Sequence, residues 1–170
     1  MTHFTTLISA PQLQSLQTSK APLVVFDCSF DLMQPTEGYK SYLESHIAGA
    51  VYANLDTDLS DKYGNFDKAS GGRHPLPSRE RFAAWLSTIG FKKDMQAVVY
   101  DRQGTMVAGR LWWMLKWLGH EHVAVLDGGF SAWQAAKGSL SAGSEPAMPA
   151  SHYLCGLAGT SLVKLVDASE

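Results

Sequence analysis

The stretch that decides the fold is Ala97-Val98-Val99-Tyr100-Asp101-Arg102-Gln103-Gly104, which leads into an apolar helical run from Thr105 to Leu118 and stops at Gly119. Its first four residues are continuously apolar rather than alternating, as in a strand buried on both faces. A second such strand, Val123-Ala124-Val125-Leu126, follows the helix and ends in Asp127-Gly128-Gly129; a last helix from Phe130 to Lys137 is closed by Gly138. Upstream the pattern repeats. Leu23-Val24-Val25-Phe26 ends at Asp27, Ala50-Val51-Tyr52-Ala53 is a further strand, and Leu7-Ile8 opens the chain. Between them Ser9 caps a helix carrying Pro11, Leu13 and Leu16. Gly38 to Ser45 forms a short amphipathic helix, and Ser78 caps one with Phe82, Trp85, Leu86 and Ile89. Five strands alternating with helices predict an α/β domain, a mainly parallel sheet with helices on both faces.

This domain is expected to span residues 1–138. Residues 56–77, with Gly64, Gly71, Gly72, Pro75 and Pro77, read as a long loop. Residues 139–161 turn to Gly, Ala, Ser and Pro, the composition of a linker, and 162–170 resume an apolar strand pattern, as if a second module began and were cut short. The 170 residues are 45% hydrophobic and 18% charged, which is globular composition. A net charge of −2 gives no field for nucleic acid or an anionic membrane. No apolar run reaches the roughly 20 residues of a membrane span. Met1-Thr2-His3-Phe4 does not open a signal peptide, so a cytoplasmic location is expected. Cys28 and Cys155 make neither a disulfide framework nor, alone, a metal site.

In parallel α/β sheets ligands bind beyond the carboxyl ends of the strands. The turn Asp101-Arg102-Gln103-Gly104 joins a buried strand to a helix, so backbone N–H groups converge there as for an anion. Asp101 is well placed to cap that helix, a role favoured over catalysis. His120 and His122 lack a third ligand and read as solvent-exposed. His74 either lines the cleft or lies on the surface. No Gly-x-Gly-x-x-Gly follows a strand and no Gly-Lys-Ser/Thr loop occurs, which removes the common nucleotide-binding sites.

Val98-Val99-Tyr100-Asp101, Gly104, Ala108-Gly109-Arg110-Leu111-Trp112-Trp113, Leu118-Gly119-His120 and Val125-Leu126-Asp127-Gly128-Gly129 with Trp133, in this order, resemble the rhodanese family. The likeness is specifically to the N-terminal module of two-module thiosulfate and 3-mercaptopyruvate sulfurtransferases. Ser45-His46-Ile47-Ala48-Gly49-Ala50 is similar to that family's first signature, with Ala48 where proline is usual, and Gly72-Arg73-His74-Pro75-Leu76-Pro77 resembles a loop of bacterial members. The resemblance implies a rhodanese-like three-layer domain with strand order 1-5-4-2-3. It implies sulfane-sulfur transfer through a cysteine persulfide to a thiol or cyanide, with no cofactor and no metal.

In such a loop the cysteine would stand first, and here that position is Asp101, so Asp101, Arg102, Gln103 and Gly104 read as an inactive loop. Cys28 and Cys155 lie elsewhere in the pattern. The implied partners are a small anionic sulfur donor and a C-terminal rhodanese module of the same parent chain, which would hold the cysteine. Arg110 matches an arginine that grips the donor's anionic head; the alternative is a structural arginine paired with an acid. His46, Gly49, Asp127, Gly128, Gly129 and Trp133 are expected as structural motif residues. The helix from Thr105 to Leu118 is apolar nearly all round, covered either by its own domain or by the second module. In the second case the chain alone exposes an apolar patch and is expected to self-associate. A rival reading is a non-catalytic rhodanese-like protein-interaction module. A phosphatase of similar fold would also need the loop cysteine.

Overall fold

The computed structural model describes residues 3–62 and 72–159. Its elements in chain order are β1 (Leu7–Ile8), α1 (Ala10–Ser19), β2 (Leu23–Asp27), α2 (Glu37–Glu44), β3 (His46–Ile47), β4 (Val51–Tyr52), α3 (Arg79–Thr88), β5 (Gln96–Tyr100), α4 (Met106–Trp117), β6 (Val123–Leu126), α5 (Gly129–Ala135) and β7 (Leu140–Ser141). Five strands form one sheet in the order β1-β6-β5-β2-β4, every neighbouring pair parallel. Counted over the five strands expected from the sequence, this is 1-5-4-2-3.

Alternate residues of the central strands feed two cores. Val24, Phe26, Ala97, Val99 and Val123 pack against Phe82 and Leu86 of α3 and Leu111, Met114 and Leu115 of α4. Val25, Val98, Tyr100, Ala124 and Leu126 pack against Leu13 of α1 and Phe130 and Trp133 of α5. The strands are apolar throughout because both faces of the sheet are covered. The helices begin where the sequence provides caps. Ser9 and Gln12 form a reciprocal capping box on α1, and Ser78 Oγ accepts from the Arg81 N–H on α3.

The pairing of β3 with β7 is antiparallel, His46 opposite Ser141 and Ile47 opposite Leu140, and was not expected from the sequence. Over its described part, the stretch read as a linker is therefore a strap laid along the domain. The Gly143 N–H donates to Leu43 O at 2.7 Å, the Ser151 N–H to Ser87 O at 2.9 Å, and the Gly156 N–H to Leu118 O at 3.0 Å. Tyr153 is buried beside Phe91 and His120. A two-residue pairing and contacts between groups far apart in the chain leave no periodic signal, whereas Gly, Ser and Pro composition does. The second-module start at 162–170, and residues 63–71 of the long loop, lie outside the described residues.

Candidate functional site

The turn after β5 is built around one carboxylate. Asp101, 1% exposed, accepts four backbone N–H groups. Oδ1 takes Gln103 at 3.0 Å and Thr105 at 2.8 Å; Oδ2 takes Val107 and Ala108 at 3.0 Å each. The last two are orphan donors of the first turn of α4, so Asp101 caps the helix from four residues before its N-cap, Thr105. Gly104 and Thr105 both have positive φ, 77° and 73°, and this curl turns the successive N–H groups inward. The start of the turn is pinned from the first turn of α5: the Phe130 N–H donates to Asp101 O at 3.2 Å. A Cβ at Gly129 would lie 2.6 Å from that oxygen, so this position requires glycine.

Arg102 does not face the cleft. Its Nη1 donates to Asp27 at 3.0 Å and Ser29 Oγ at 2.7 Å, its Nη2 donates to the Ser45 carbonyl, and its guanidinium lies 4.1 Å over the Phe130 ring. Asp27 is fully buried and also accepts the Tyr100 hydroxyl at 2.7 Å. Arg102 thus neutralises a buried carboxylate and clasps the turn to β2 and β3, a role that sequence reading of the loop did not reveal.

Beside the turn opens a cavity of about 470 Å³. Phe30, Leu55 and Met106 form its apolar side; His74, Gln103 and Arg110 form its polar side. Arg110 donates through Nε (3.2 Å) and Nη2 (2.9 Å) to the Leu59 carbonyl and through Nη2 to the His74 carbonyl at 3.0 Å. The edge of the guanidinium that could grip two oxygens of an anion is therefore taken up by backbone. Nη1 has no partner among the described residues. Among the described residues Arg110 pairs with no acid, and burial lowers its pKa from the usual arginine value.

His74 meets Asp56 at 2.8 Å through Nε2, and Asp56 also pairs with Lys62. Burial pulls the His74 pKa below the usual histidine value, outweighing the Asp56 contact. With Nε2–H directed at the carboxylate, the neutral ring keeps its lone pair on Nδ1, which is the arrangement of a proton acceptor. Eighteen residues separate the two, and Asp56 was not singled out in the sequence.

The remaining candidates fall outside the cavity. His46 is fully buried in β3, and Gly49, at φ 78°, donates its N–H to Glu145. Asp127 is exposed, while Gly128 and Gly129 make the turn into α5. Trp133 is buried, its Nε1–H on Ser139 O at 3.0 Å. His120 corrects the expectation of an exposed imidazole: it is buried against Phe91, donates to Met95 O, and desolvation pulls its pKa down to about 4. His122 is largely covered as well, stacked on His3 at 3.6 Å.

Cys28 is buried, and desolvation, with Asp27 and Asp101 nearby, raises its pKa well above the usual thiol value. Such a thiol is protonated and shielded. Cys155 packs half-buried on α3, its Sγ 3.5 Å from Arg79 O. Helix α4 buries Val107, Leu111, Met114 and Leu115, whereas Met106 is 67% exposed and Trp113 and Trp117 are half-buried and stacked on one another. Among the described residues no helix is long and apolar enough to cross a membrane.

A family model described as a rhodanese-like domain matches residues 9–136. A protein from Pseudomonas aeruginosa named as a probable 3-mercaptopyruvate sulfurtransferase is 41% identical over 144 residues, 84% of this chain and 49% of the relative. The thiosulfate sulfurtransferase of Bos taurus is 36% identical over 129 residues, 75% of this chain and 40% of the relative. Among solved structures, the 3-mercaptopyruvate sulfurtransferase from Leishmania major superposes with a TM-score of 0.77 at 25% identity, covering 96% of this chain and 44% of that one. The chain spans less than half the length of each of these three proteins.

Proposed function

The chain belongs to the rhodanese family, and on that premise we propose that it is the N-terminal, cysteine-less module of a two-module sulfurtransferase. The parent enzyme would move sulfane sulfur from a small anionic donor, thiosulfate or 3-mercaptopyruvate, to a thiol or cyanide. The observation that carries this reading is the Asp101 carboxylate on four backbone N–H groups. A turn of that shape would stabilise a thiolate at its centre. A carboxylate there satisfies the same donors and cannot form a persulfide, so this module shapes the cleft and the sulfur-bearing thiol comes from its partner module.

Arg110 would then hold the donor's negative end through Nη1, in a cavity whose apolar side strengthens the attraction. His74, oriented by Asp56, would accept or return a proton at Nδ1 during transfer to a thiol. Relatives about twice as long as this chain support the two-module reading. So does the exposed Met106 at the cavity rim, which a second module would cover.

The test is an assay of the chain alone with either donor and with cyanide or a thiol as acceptor. No turnover is expected, and measurable turnover overturns the reading. In the full-length parent, Arg110→Ala is expected to lower kcat/KM by about tenfold or more, mainly through KM. An unchanged kcat/KM removes Arg110 from the donor site.

A further inference from the structure

We propose that His46 and Glu145 form a charged latch that seats the first half of the 140–159 strap on the domain only while the imidazole carries both ring protons and the carboxyl carries none. His46 Nδ1 lies 2.7 Å from Tyr42 O, and a carbonyl oxygen can only accept. His46 Nε2 lies 3.0 Å from Glu145 Oε1. That same oxygen accepts the Gly49 N–H at 2.8 Å, so it too is an acceptor. Two acceptors on opposite sides of one ring require two N–H donors, which is the imidazolium form. The Tyr42 ring lies parallel to it, 4.0 Å away at 15°, an arrangement that favours a cation.

The carboxyl is held below the usual carboxylate range, first by the Gly49 N–H and further by His46, against the pull of partial burial. His46 itself is fully buried, so losing either partner leaves a polar ring atom unsatisfied away from water. Among the described residues no second carboxylate bonds the ring. Tyr42 comes from α2. Asp27 of β2 and Tyr100 of β5 reach only the next residue, the Tyr100 hydroxyl accepting the Ile47 N–H while donating to Asp27. Arg102 donates to the carbonyl of the preceding residue, Ser45. Helix α5 supplies Trp133 and no titratable side chain.

The latch therefore fails in both directions of pH. As pH falls through the depressed Glu145 pKa, the carboxyl is protonated and the attraction is lost. A ring with a single proton would leave one of its two nitrogens facing an acceptor with a lone pair. The nearby anchors, the β3–β7 pairing and the Gly143 N–H on Leu43 O, depend on the same seating. Farther along, the Ser151 N–H is held by Ser87 O, away from His46 and Glu145, and serves as an internal reference on the alkaline side, where His120 beside Tyr153 stays neutral. This inference does not depend on what the cleft binds.

The test is amide hydrogen exchange of the 170-residue chain, expressed as protection factors across the pH range, together with ring nitrogen shifts of His46. The expected result is a doubly protonated ring at about pH 6 and a bell-shaped protection of Gly143, with Ser151 flat on the alkaline side. Glu145→Gln should lower Gly143 protection at that pH by about tenfold and flatten its profile while Ser151 stays unchanged. A ring with a single proton at that pH overturns the proposal. So does a flat Gly143 profile in the unsubstituted chain, or a Glu145→Gln profile that matches it.

Discussion

Asp101→Asn probes the centre of the turn with the least change of shape. Asparagine keeps one carbonyl oxygen and converts the other acceptor into an NH2 donor. Its oxygen should turn to Val107 and Ala108, whose N–H bonds are buried. The amide then faces the N–H groups of Gln103 and Thr105, which lie at the surface and can rotate toward water. Two charge-assisted bonds become neutral ones, a loss of about 1 kcal/mol each. Removing a negative charge from the start of α4 costs about 0.5–1 kcal/mol more. The expected destabilisation is about 2–3 kcal/mol, enough to shift a urea transition but not to unfold a typical domain. Unfolding can be followed by the fluorescence of the five tryptophans. Asp127→Asn is the control, because Asp127 is an exposed turn carboxylate, and it should stay within about 0.5 kcal/mol of the parent. A loss below about 1 kcal/mol for Asp101→Asn, or one equal to the control, would refute the claim that this carboxylate organises the turn.

Asp101→Cys puts a thiol under the same four N–H groups, and it should titrate below the ordinary cysteine value of about 8.5. Iodoacetamide near neutral pH should then modify residue 101 faster than Cys155 and leave Cys28 untouched until the chain unfolds; labelling of position 101 only in alkali would contradict the cradle. His120 offers a pH test. Its folded pKa of about 4 lies below the ordinary 6.5, so its neutral burial stabilises fully above the unfolded value and is lost as pH falls toward the folded one. The stability of the chain should decline by up to about 3 kcal/mol over that interval from this group, and His120→Gln should remove that part of the slope; an unaltered profile would place the titration elsewhere.

The order of elements, the parallel sheet and the family could all be read from residues because each is a local pattern. Continuous runs such as Val98-Val99-Tyr100 report burial on both sides without any coordinates. Tertiary structure decided how those residues are used. Periodicity records whether a side chain meets solvent, not which distant group it meets. Nothing local in Arg102 directs it onto Asp27, 75 residues earlier, rather than into the cleft. Nothing local shows that Nε and Nη2 of Arg110 are occupied by the carbonyls of Leu59 and His74. His74 finds Asp56, and His46 finds Glu145 at a separation of 99 residues, only because chain closure brings polar groups to points where burial would otherwise leave them unpaired. The same requirement drew a stretch of linker-like composition into a strap with its own strand pairing, since the donors and acceptors it covers had to be satisfied.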